Sequence, residues 1–170
     1  GNKTVNTSQT IRHATVAGNG DGTFDYYAFT AFAAGDRGIF DIDYTATDTH
    51  VFVYSLASGN VVNDLNTGLA CAGNDSALTD GMTGSSTLLN SYVECVFPAG
   101  GRYAVGIGKA ISVGAAGGIS GVPLAVGDSY SMHVSLYHPQ SVPNNPLGTA
   151  RNLDLDPLLA ELKERRLILH

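Results

Sequence analysis

Apolar and polar residues alternate along most of the chain between residues 11 and 137. In one such segment Phe40, Ile42 and Tyr44 share one face, and Asp41 and Asp43 share the other. Alternation with a period of two is typical of half-buried β-strands. Seven segments follow the pattern: residues 11–16, 26–32, 39–44, 50–56, 92–97, 103–107 and 130–136. The chain is therefore predicted to be all-β, an antiparallel, jelly-roll-like β-sandwich of about eight strands.

Two stretches interrupt this rhythm. Residues 69–89 form a polar segment, which predicts a loop. Residues 108–127 are rich in Gly and Ala and offer few side chains for packing, so we expect a long excursion with one weak strand at residues 110–113.

The end of the chain has a different character. Residues 139–153 contain three prolines and read as an extended linker. Asp156 followed by Pro157 predicts the start of a short C-terminal helix that runs to about residue 167. An apolar stripe on this helix is the predicted partner-binding surface: Leu155, Leu158, Leu159, Leu162 and Leu169.

So short a helix is marginal on its own and must pack against something. Two partners stay open at this point. The stripe docks on its own sandwich, or it docks on a neighbouring subunit or a following domain. The predicted organisation is an N-terminal extension at residues 1–10, a sandwich at 11–138, a linker at 139–153 and a helical tail at 154–170.

The charge of the chain restricts its partners. Only 14% of residues are charged, compared with roughly 25% in an average protein. The net charge of −6 belongs entirely to residues 1–150, because the charges of residues 151–170 sum to zero. So few basic residues argue against nucleic acid as a partner, and the acidic balance favours a hard cation such as Ca²⁺. No apolar run is long enough to predict a membrane span.

The two cysteines, Cys71 and Cys95, predict a disulfide. Their spacing is not a zinc motif, because no second ligand pair exists. A bond between them would close a loop of roughly 25 residues. The alternative is two buried thiols in a reducing compartment. Because the composition is typical of secreted proteins, we expect a mature chain that is secreted and located outside the cell or at the cell surface.

Several motifs resemble one known family. Residues 20–30 combine a glycine-rich turn with an aromatic strand, residues 40–54 carry aspartates within one strand and at the start of the next, and residues 91–105 contain the pattern F-x-x-x-G-x-Y-x-V. Over residues 11–138 the chain resembles bacterial pre-peptidase C-terminal domains. The resemblance implies a jelly-roll-like sandwich in secreted bacterial proteins, often appended to proteases and other hydrolases. Such modules are non-catalytic; some bind calcium, and some bind polymers such as collagen or glycans.

The chain departs from this family pattern in three places. The loop after Val61 is longer and carries Cys71, the 108–127 stretch looks inserted, and a helical tail follows. These departures leave the ligand of this chain open.

Calcium is the expected cofactor. Asp41 and Asp43 project from one strand face, and Asp48 follows in the next turn. Closely spaced carboxylates repel, and a Ca²⁺ ion with six to eight oxygen ligands would relieve that repulsion. The resemblance adds the Asn-Asp pair formed by Asn74 and Asp75. The alternative is a solvated polar sheet face without a metal. A second acidic stretch, residues 19–25, lacks a distal glutamate and is interpreted as a hairpin turn.

No catalytic motif is found, neither Gly-x-Ser-x-Gly nor His-Glu-x-x-His, so we expect that the protein is not an enzyme. The predicted function is a secreted, calcium-stabilised module that binds an extracellular polymer or protein surface. The alternative is a homo-oligomeric structural subunit of a filament or surface layer, joined through residues 1–10 and the helix.

Overall fold

The computed structural model describes residues 13–43, 45–73 and 89–138, all within one compact unit. These ranges are all-β with antiparallel pairing, as predicted, and contain no helix. The predicted N-terminal extension, linker and C-terminal helix lie outside the described residues.

The described ranges contain ten strands. They are β1 (Ala14–Asn19), β2 (Asp25–Ala31), β3 (Arg37–Asp43), β4 (Thr49–Ser55), β5 (Ala72–Gly73), β6 (Tyr92–Val96), β7 (Gly101–Lys109), β8 (Val113–Ala115), β9 (Gly118–Ser120) and β10 (Ser129–Tyr137). Each of the seven alternating segments found in the sequence overlaps one of these strands. A strand with one face against the core has apolar residues at every second position, which is the pattern that the sequence shows.

Eight of the strands form two four-stranded sheets. The first sheet has the order β1-β10-β3-β6 and the second the order β2-β7-β4-β5. The pairs β1–β10, β2–β7, β3–β6 and β4–β5 are therefore nested in sequence, each pair enclosing the next. The chain changes sheet at each of the first three connections, so consecutive strands from β1 to β4 lie in opposite sheets.

One hydrophobic cluster joins the two sheets in a sandwich-like arrangement. It receives Phe40 and Ile42 from the first sheet and Val51, Val53 and Val105 from the second. Aromatic rings provide the contacts across the middle. The Phe29 ring lies 5.1 Å from the Phe40 ring and 5.6 Å from the Phe97 ring, measured between centroids. Each of these side chains shares a face with its alternating neighbours, and in β4, where both faces are apolar, the structure places Val51 and Val53 against this cluster.

A second, smaller cluster covers the outer face of the second sheet. Strands β8 and β9 form a hairpin whose Ile119 packs on Phe52 and Tyr54. The Ile119 N–H donates a hydrogen bond of 2.7 Å to the Tyr26 hydroxyl. The Gly- and Ala-rich stretch is thus a packed hairpin with strands at 113–115 and 118–120, and the expected single weak strand at residues 110–113 is wrong. Small residues are what allow the close approach: a Cβ on Gly114 would lie 2.5 Å from a Val61 methyl.

One side of the sandwich is closed by covalent and polar links. Cys71 and Cys95 form the predicted disulfide, with their Cα atoms 5.5 Å apart. Cys71 directly precedes β5 and Cys95 lies in β6, so the bond joins the two sheets at their adjacent edges. Gly73 lies so close to β6 that a Cβ there would be 2.0 Å from the Tyr92 carbonyl oxygen.

Candidate binding face

Side chains that point away from the core of the first sheet form the candidate functional surface, here called the outer face. Because Phe40 and Ile42 point inward, Asp41 and Asp43 of β3 point outward. Strand register then places residues from all four strands side by side. One row across the sheet consists of Thr15, His133, Asp41 and Tyr92.

The two aspartates of this face are buried. Asp41 is 0% exposed and Asp43 is 1% exposed, so neither is a solvated surface group. Asn90 Nδ2 donates a hydrogen bond of 3.3 Å to Asp43 Oδ1. A buried carboxylate requires hydrogen bonds or a nearby positive charge to offset its lost hydration. This part of the face is therefore a packed polar layer rather than an open acidic patch.

His133 links the hydroxyl of Thr15 to this layer. Thr15 Oγ1 lies 2.9 Å from His133 Nδ1, and His133 Nε2 lies 3.4 Å from Asp43 Oδ2. Burial lowers the pKa of His133 below its ordinary value; the Asp43 carboxylate acts in the opposite direction but does not overcome it. The neutral imidazole has one donor. We assign that proton to Nε2, facing Asp43, so that Nδ1 accepts from the Thr15 hydroxyl.

A hydroxyl, an imidazole and a carboxylate in this order also occur where enzymes activate a nucleophile. Here the order follows from strand pairing, because Thr15 and His133 are direct cross-strand partners. Acyl transfer further requires donors aimed at a developing oxyanion. The order of these three groups is therefore not by itself evidence of a nucleophile.

The predicted calcium ligands are only partly described. Asp41, Asp43 and Asp48 are placed by the structure, whereas Asn74 and Asp75 lie outside the described residues. Asp48 is half-buried in the turn between β3 and β4, where its carbonyl accepts a hydrogen bond of 3.0 Å from the Ala110 N–H.

The three described aspartates do not bring three carboxylate oxygens within 4.8 Å of one another. Within residues 13–43, 45–73 and 89–138, the one group of three His, Cys, Asp or Glu ligand atoms within 4.8 Å of one another is Asp64 with Cys71 and Cys95. Both of these sulfurs belong to the disulfide, so this group is no metal site either. Calcium binding stays a prediction that needs further oxygen ligands beside Asp41 and Asp43.

A second polar cluster on the outer face is partly exposed. Arg37 Nη1 donates a hydrogen bond of 2.7 Å to the Tyr137 hydroxyl, and the Arg37 guanidinium lies 5.6 Å from the centre of the Tyr137 ring. Arg37 also forms an ion pair with Glu94, and the Tyr92 hydroxyl donates to Glu94 at 3.3 Å. We call these four residues the Arg37 cluster. Tyr137 is its most exposed ring, at 42%.

Two members of the Arg37 cluster, Arg37 and Tyr92, keep their protonation state over the ordinary pH range. Burial lowers the pKa of Arg37, but hydrogen bonds to Glu94 and Tyr137 outweigh burial, and the pKa lies above its usual value. Burial, followed by the nearby Glu94 carboxylate, raises the pKa of Tyr92. Arg37 therefore stays cationic and Tyr92 stays a protonated donor. An arginine beside a tyrosine ring presents a surface with both polar and aromatic character.

Sequence reasoning had found only part of this face. Alternation indicated that Tyr92, Tyr137 and His133 point outward, but it gave no reason to group Arg37 with them. Arg37 pairs with Tyr137 on one side and Val96 on the other. Arg37 and Tyr137 are 100 positions apart in the sequence. They become neighbours only through the order of the strands in the sheet. The predicted partner-binding leucines, Leu155, Leu158, Leu159 and Leu162, lie outside the described residues.

Comparison with known proteins adds no family. No protein-family model matches the chain, and no curated protein matches its sequence. Among the described residues, no helix has the length and apolar character needed to cross a membrane.

Proposed function

We propose that the chain is a secreted, non-catalytic module with jelly-roll topology that binds an extracellular polymer or protein surface. The nested strand pairs support the topology. A jelly roll is a long antiparallel hairpin wrapped into two sheets, and β1–β10, β2–β7, β3–β6 and β4–β5 pair in that way once the β8–β9 hairpin is set aside. The disulfide supports secretion, because such bonds persist in oxidising compartments.

The Arg37 cluster is the observation that carries the binding proposal. A polymer chain has no deep cavity to fill and is bound along an open surface by aromatic rings and hydrogen-bonding groups. Tyr137 offers an exposed ring, while Arg37 and Glu94 offer charged donors and acceptors beside it. Because Arg37 holds the Tyr137 hydroxyl, less side-chain entropy is lost when a ligand stacks on this ring.

Binding to insoluble polymers tests the proposal. The purified chain is incubated with cellulose, chitin, peptidoglycan and collagen, and the bound fraction is measured after centrifugation. We expect one of these to retain the protein and Tyr137→Ala to weaken retention about tenfold or more, the cost of losing a stacking residue. Val126→Ala is the control, since it trims an exposed apolar side chain, 82% accessible, in the loop before β10, at the opposite end of that strand from Tyr137. Equal losses in both variants, or no retention by any polymer, would overturn the proposal.

Calcium stabilisation is the second part of the proposal. Asp41 and Asp43 would supply carboxylate oxygens, with Asp48, Asn74 and Asp75 as the further ligands proposed from the sequence. A bound ion would offset the cost of burying the two aspartates, which is the structural reason to retain this idea. Melting the chain in calcium and in EGTA tests it. A lower melting temperature in EGTA would support a bound Ca²⁺ ion. Identical melting curves in calcium and in EGTA would remove calcium binding from the proposal.

The alternative is a self-assembling extracellular subunit joined through residues 1–10 and the apolar stripe of the C-terminal helix. Light scattering after size exclusion distinguishes this alternative from the module. Assemblies that dissolve when residues 150–170 are deleted would favour the subunit. A particle whose mass is unchanged by that deletion, and that still binds a polymer, would favour the module.

A further inference from the structure

The two sides of the sandwich differ in how their edge strands are treated. At the side formed by β5 and β6, the disulfide and the 61–70 loop cover the strand edges; Leu65 N–H, for example, donates to the Val96 carbonyl at 2.8 Å. At the other side, β1 and β2 each pair with a single strand. Among the described residues, no backbone hydrogen bond outside the β2–β7 ladder uses a group of residues 25–31.

Strand β2 also lacks the features that usually protect an edge. Natural edge strands carry Lys, Pro or a bulge that prevents pairing with another chain. Residues Asp25–Ala31 contain no Lys, Arg or Pro, and all seven pair with β7 in unbroken register. The single charge, Asp25, sits at one end and accepts a hydrogen bond of 2.6 Å from the Tyr130 hydroxyl. The remaining edge is uncharged and extended.

We propose that β2 is a pairing edge for a second copy of this chain. Two β2 strands meet antiparallel across a two-fold axis, so that the two second sheets become one eight-stranded sheet with the order β5-β4-β7-β2-β2-β7-β4-β5. A two-fold contact requires a surface that is complementary to itself. The inference is independent of polymer and calcium binding, since it uses neither the Arg37 cluster nor Asp41 and Asp43.

The sequence of β2 fits this symmetry. Full overlap of seven residues places Ala28 opposite its own copy on the axis, with Tyr26 opposite Thr30 and Tyr27 opposite Phe29. Asp25 then faces Ala31, so no like charges oppose each other. The small, exposed Ala28 permits close approach at the axis. Tyr27 and Phe29, which are half-buried at the rim of the core, lose their remaining contact with water.

Introduced cysteines test both the contact and its register. Both natural cysteines are in the disulfide, so Ala28→Cys adds one free thiol per chain. Residues directly opposite across antiparallel strands have Cβ atoms about 5 Å apart, close enough for a disulfide after small adjustment. Thr30→Cys on the same strand is the matched control. Its two thiols would lie four residues apart along the paired strands, about 13 Å, which is too far to bond.

Under mild oxidation we expect Ala28→Cys to give a covalent dimer and Thr30→Cys to stay monomeric on a non-reducing gel. Equal cross-linking of both variants would indicate random collision and overturn the proposal. Absence of cross-linking in both would overturn it as well, provided that circular dichroism shows both variants folded.

A second pair of variants separates loss of pairing from loss of folding. Ala28→Lys places two positive charges opposite each other at the axis, and we expect at least about a tenfold increase in the dimer dissociation constant. Ala17→Lys makes the same change at an exposed position on the other open edge, β1, and should leave the constant unchanged. Sedimentation over a concentration series measures both. A monomeric natural chain throughout the series, or equal effects of the two lysines, would contradict the assignment of β2.

Discussion

Asp64 and Val96 are joined by a hydrogen bond of 2.6 Å from the Val96 N–H to the Asp64 carboxylate. The same carboxylate accepts the N–H groups of Asn66 and Thr67 at 2.9 and 2.8 Å. One side chain therefore shapes the 61–70 loop and attaches it to β6, one residue from Cys95. Together with the disulfide, this contact closes the β5–β6 side of the sandwich.

Replacing Asp64 should destabilise the fold measurably. Asp64→Ala leaves three backbone N–H groups without their acceptor, and we expect a loss of about 2–3 kcal/mol in the free energy of unfolding. Asp64→Asn keeps one acceptor oxygen and should lose less. Asp21→Ala is the control, because Asp21 caps an exposed turn at Thr23 but joins no second element. Urea unfolding followed by circular dichroism gives the values, and equal losses at Asp64 and Asp21 would contradict the bridging role.

The contribution of Asp64 should also depend on pH. Burial raises its pKa, but the hydrogen bonds from Val96 and Thr67 outweigh burial, so the pKa lies below its ordinary value. A carboxyl whose pKa is lower in the folded state stabilises the protein above its unfolded pKa of about 3.9, and loses this effect as the pH falls through the folded pKa. The stability difference between the natural chain and Asp64→Asn should therefore be constant near neutrality and shrink below about pH 4. A difference that persists undiminished at lower pH would show that the charge of Asp64 is not the cause.

The disulfide should contribute to the free energy of unfolding by about the amount that the length of its closed loop predicts. Cys71 and Cys95 are separated by 24 positions, and closing such a loop stabilises by about 3 kcal/mol in the chain-entropy model. We expect the free energy of unfolding, measured with urea, to be lower by that amount in the double variant Cys71→Ala with Cys95→Ala. Reduction of the natural chain should give a similar loss without a change of sequence. If the double variant unfolds at the same urea concentration as the natural chain, other contacts already hold β5 and β6 together.

The prediction from sequence succeeded where local chemistry decides the structure. Alternation located the seven long strands and grouped Phe40 with Ile42 and Met132 with Val134, side chains that face the core, because a strand buried on one face records that burial in its own sequence. In β4 it separated Val51 and Val53 from Phe52 and Tyr54 but did not decide which of the two faces the main core. It missed the β8–β9 hairpin, whose glycines make close contacts instead of filling space with side chains. Its strand boundaries were also a few residues off, as at β7, where Gly106 and Gly108 carry no alternation signal.

The candidate site was harder to predict than the strands. The buried state of Asp41 and Asp43 could not be read from their alternation, because an outward-facing aspartate in a strand usually meets water. The Arg37 cluster depends on the order β10-β3-β6, which brings Tyr137, Arg37 and Glu94 together from distant parts of the chain. Local pattern does not encode strand order, so these neighbours became visible only in the folded structure.

The Tyr26 hydroxyl should contribute measurably to holding the β8–β9 hairpin on the second sheet. Tyr26→Phe removes the acceptor of the Ile119 N–H, and we expect a cost of about 1 kcal/mol in the opening of the hairpin. Hydrogen exchange of the Ile119 amide should accelerate about fivefold, while amides of β4 should not change. Tyr137→Phe serves as the control, because its hydroxyl contacts Arg37 on the other sheet. Unchanged exchange at Ile119 would mean that packing on Phe52 and Tyr54 is sufficient to hold the hairpin.

A chain of two tyrosines and one aspartate joins the sheets on the open side. The Tyr130 hydroxyl donates to Asp25 at 2.6 Å and lies 2.8 Å from the Tyr27 hydroxyl, which donates to it in turn. Burial, followed by the hydrogen bond to Asp25, raises the pKa of Tyr130, so it stays a donor at every ordinary pH. Tyr130→Phe should therefore cost about 2 kcal/mol, because both Asp25 and Tyr27 lose a partner in a largely buried setting.

Tyr27→Phe removes only the hydrogen bond between the two tyrosine hydroxyls. It should lower the free energy of unfolding by less than Tyr130→Phe does. The double variant should cost less than the sum of the two, since the Tyr27 bond has no acceptor once the Tyr130 hydroxyl is gone. Urea unfolding of the four proteins completes the cycle. Strict additivity would mean that the two hydroxyls act independently.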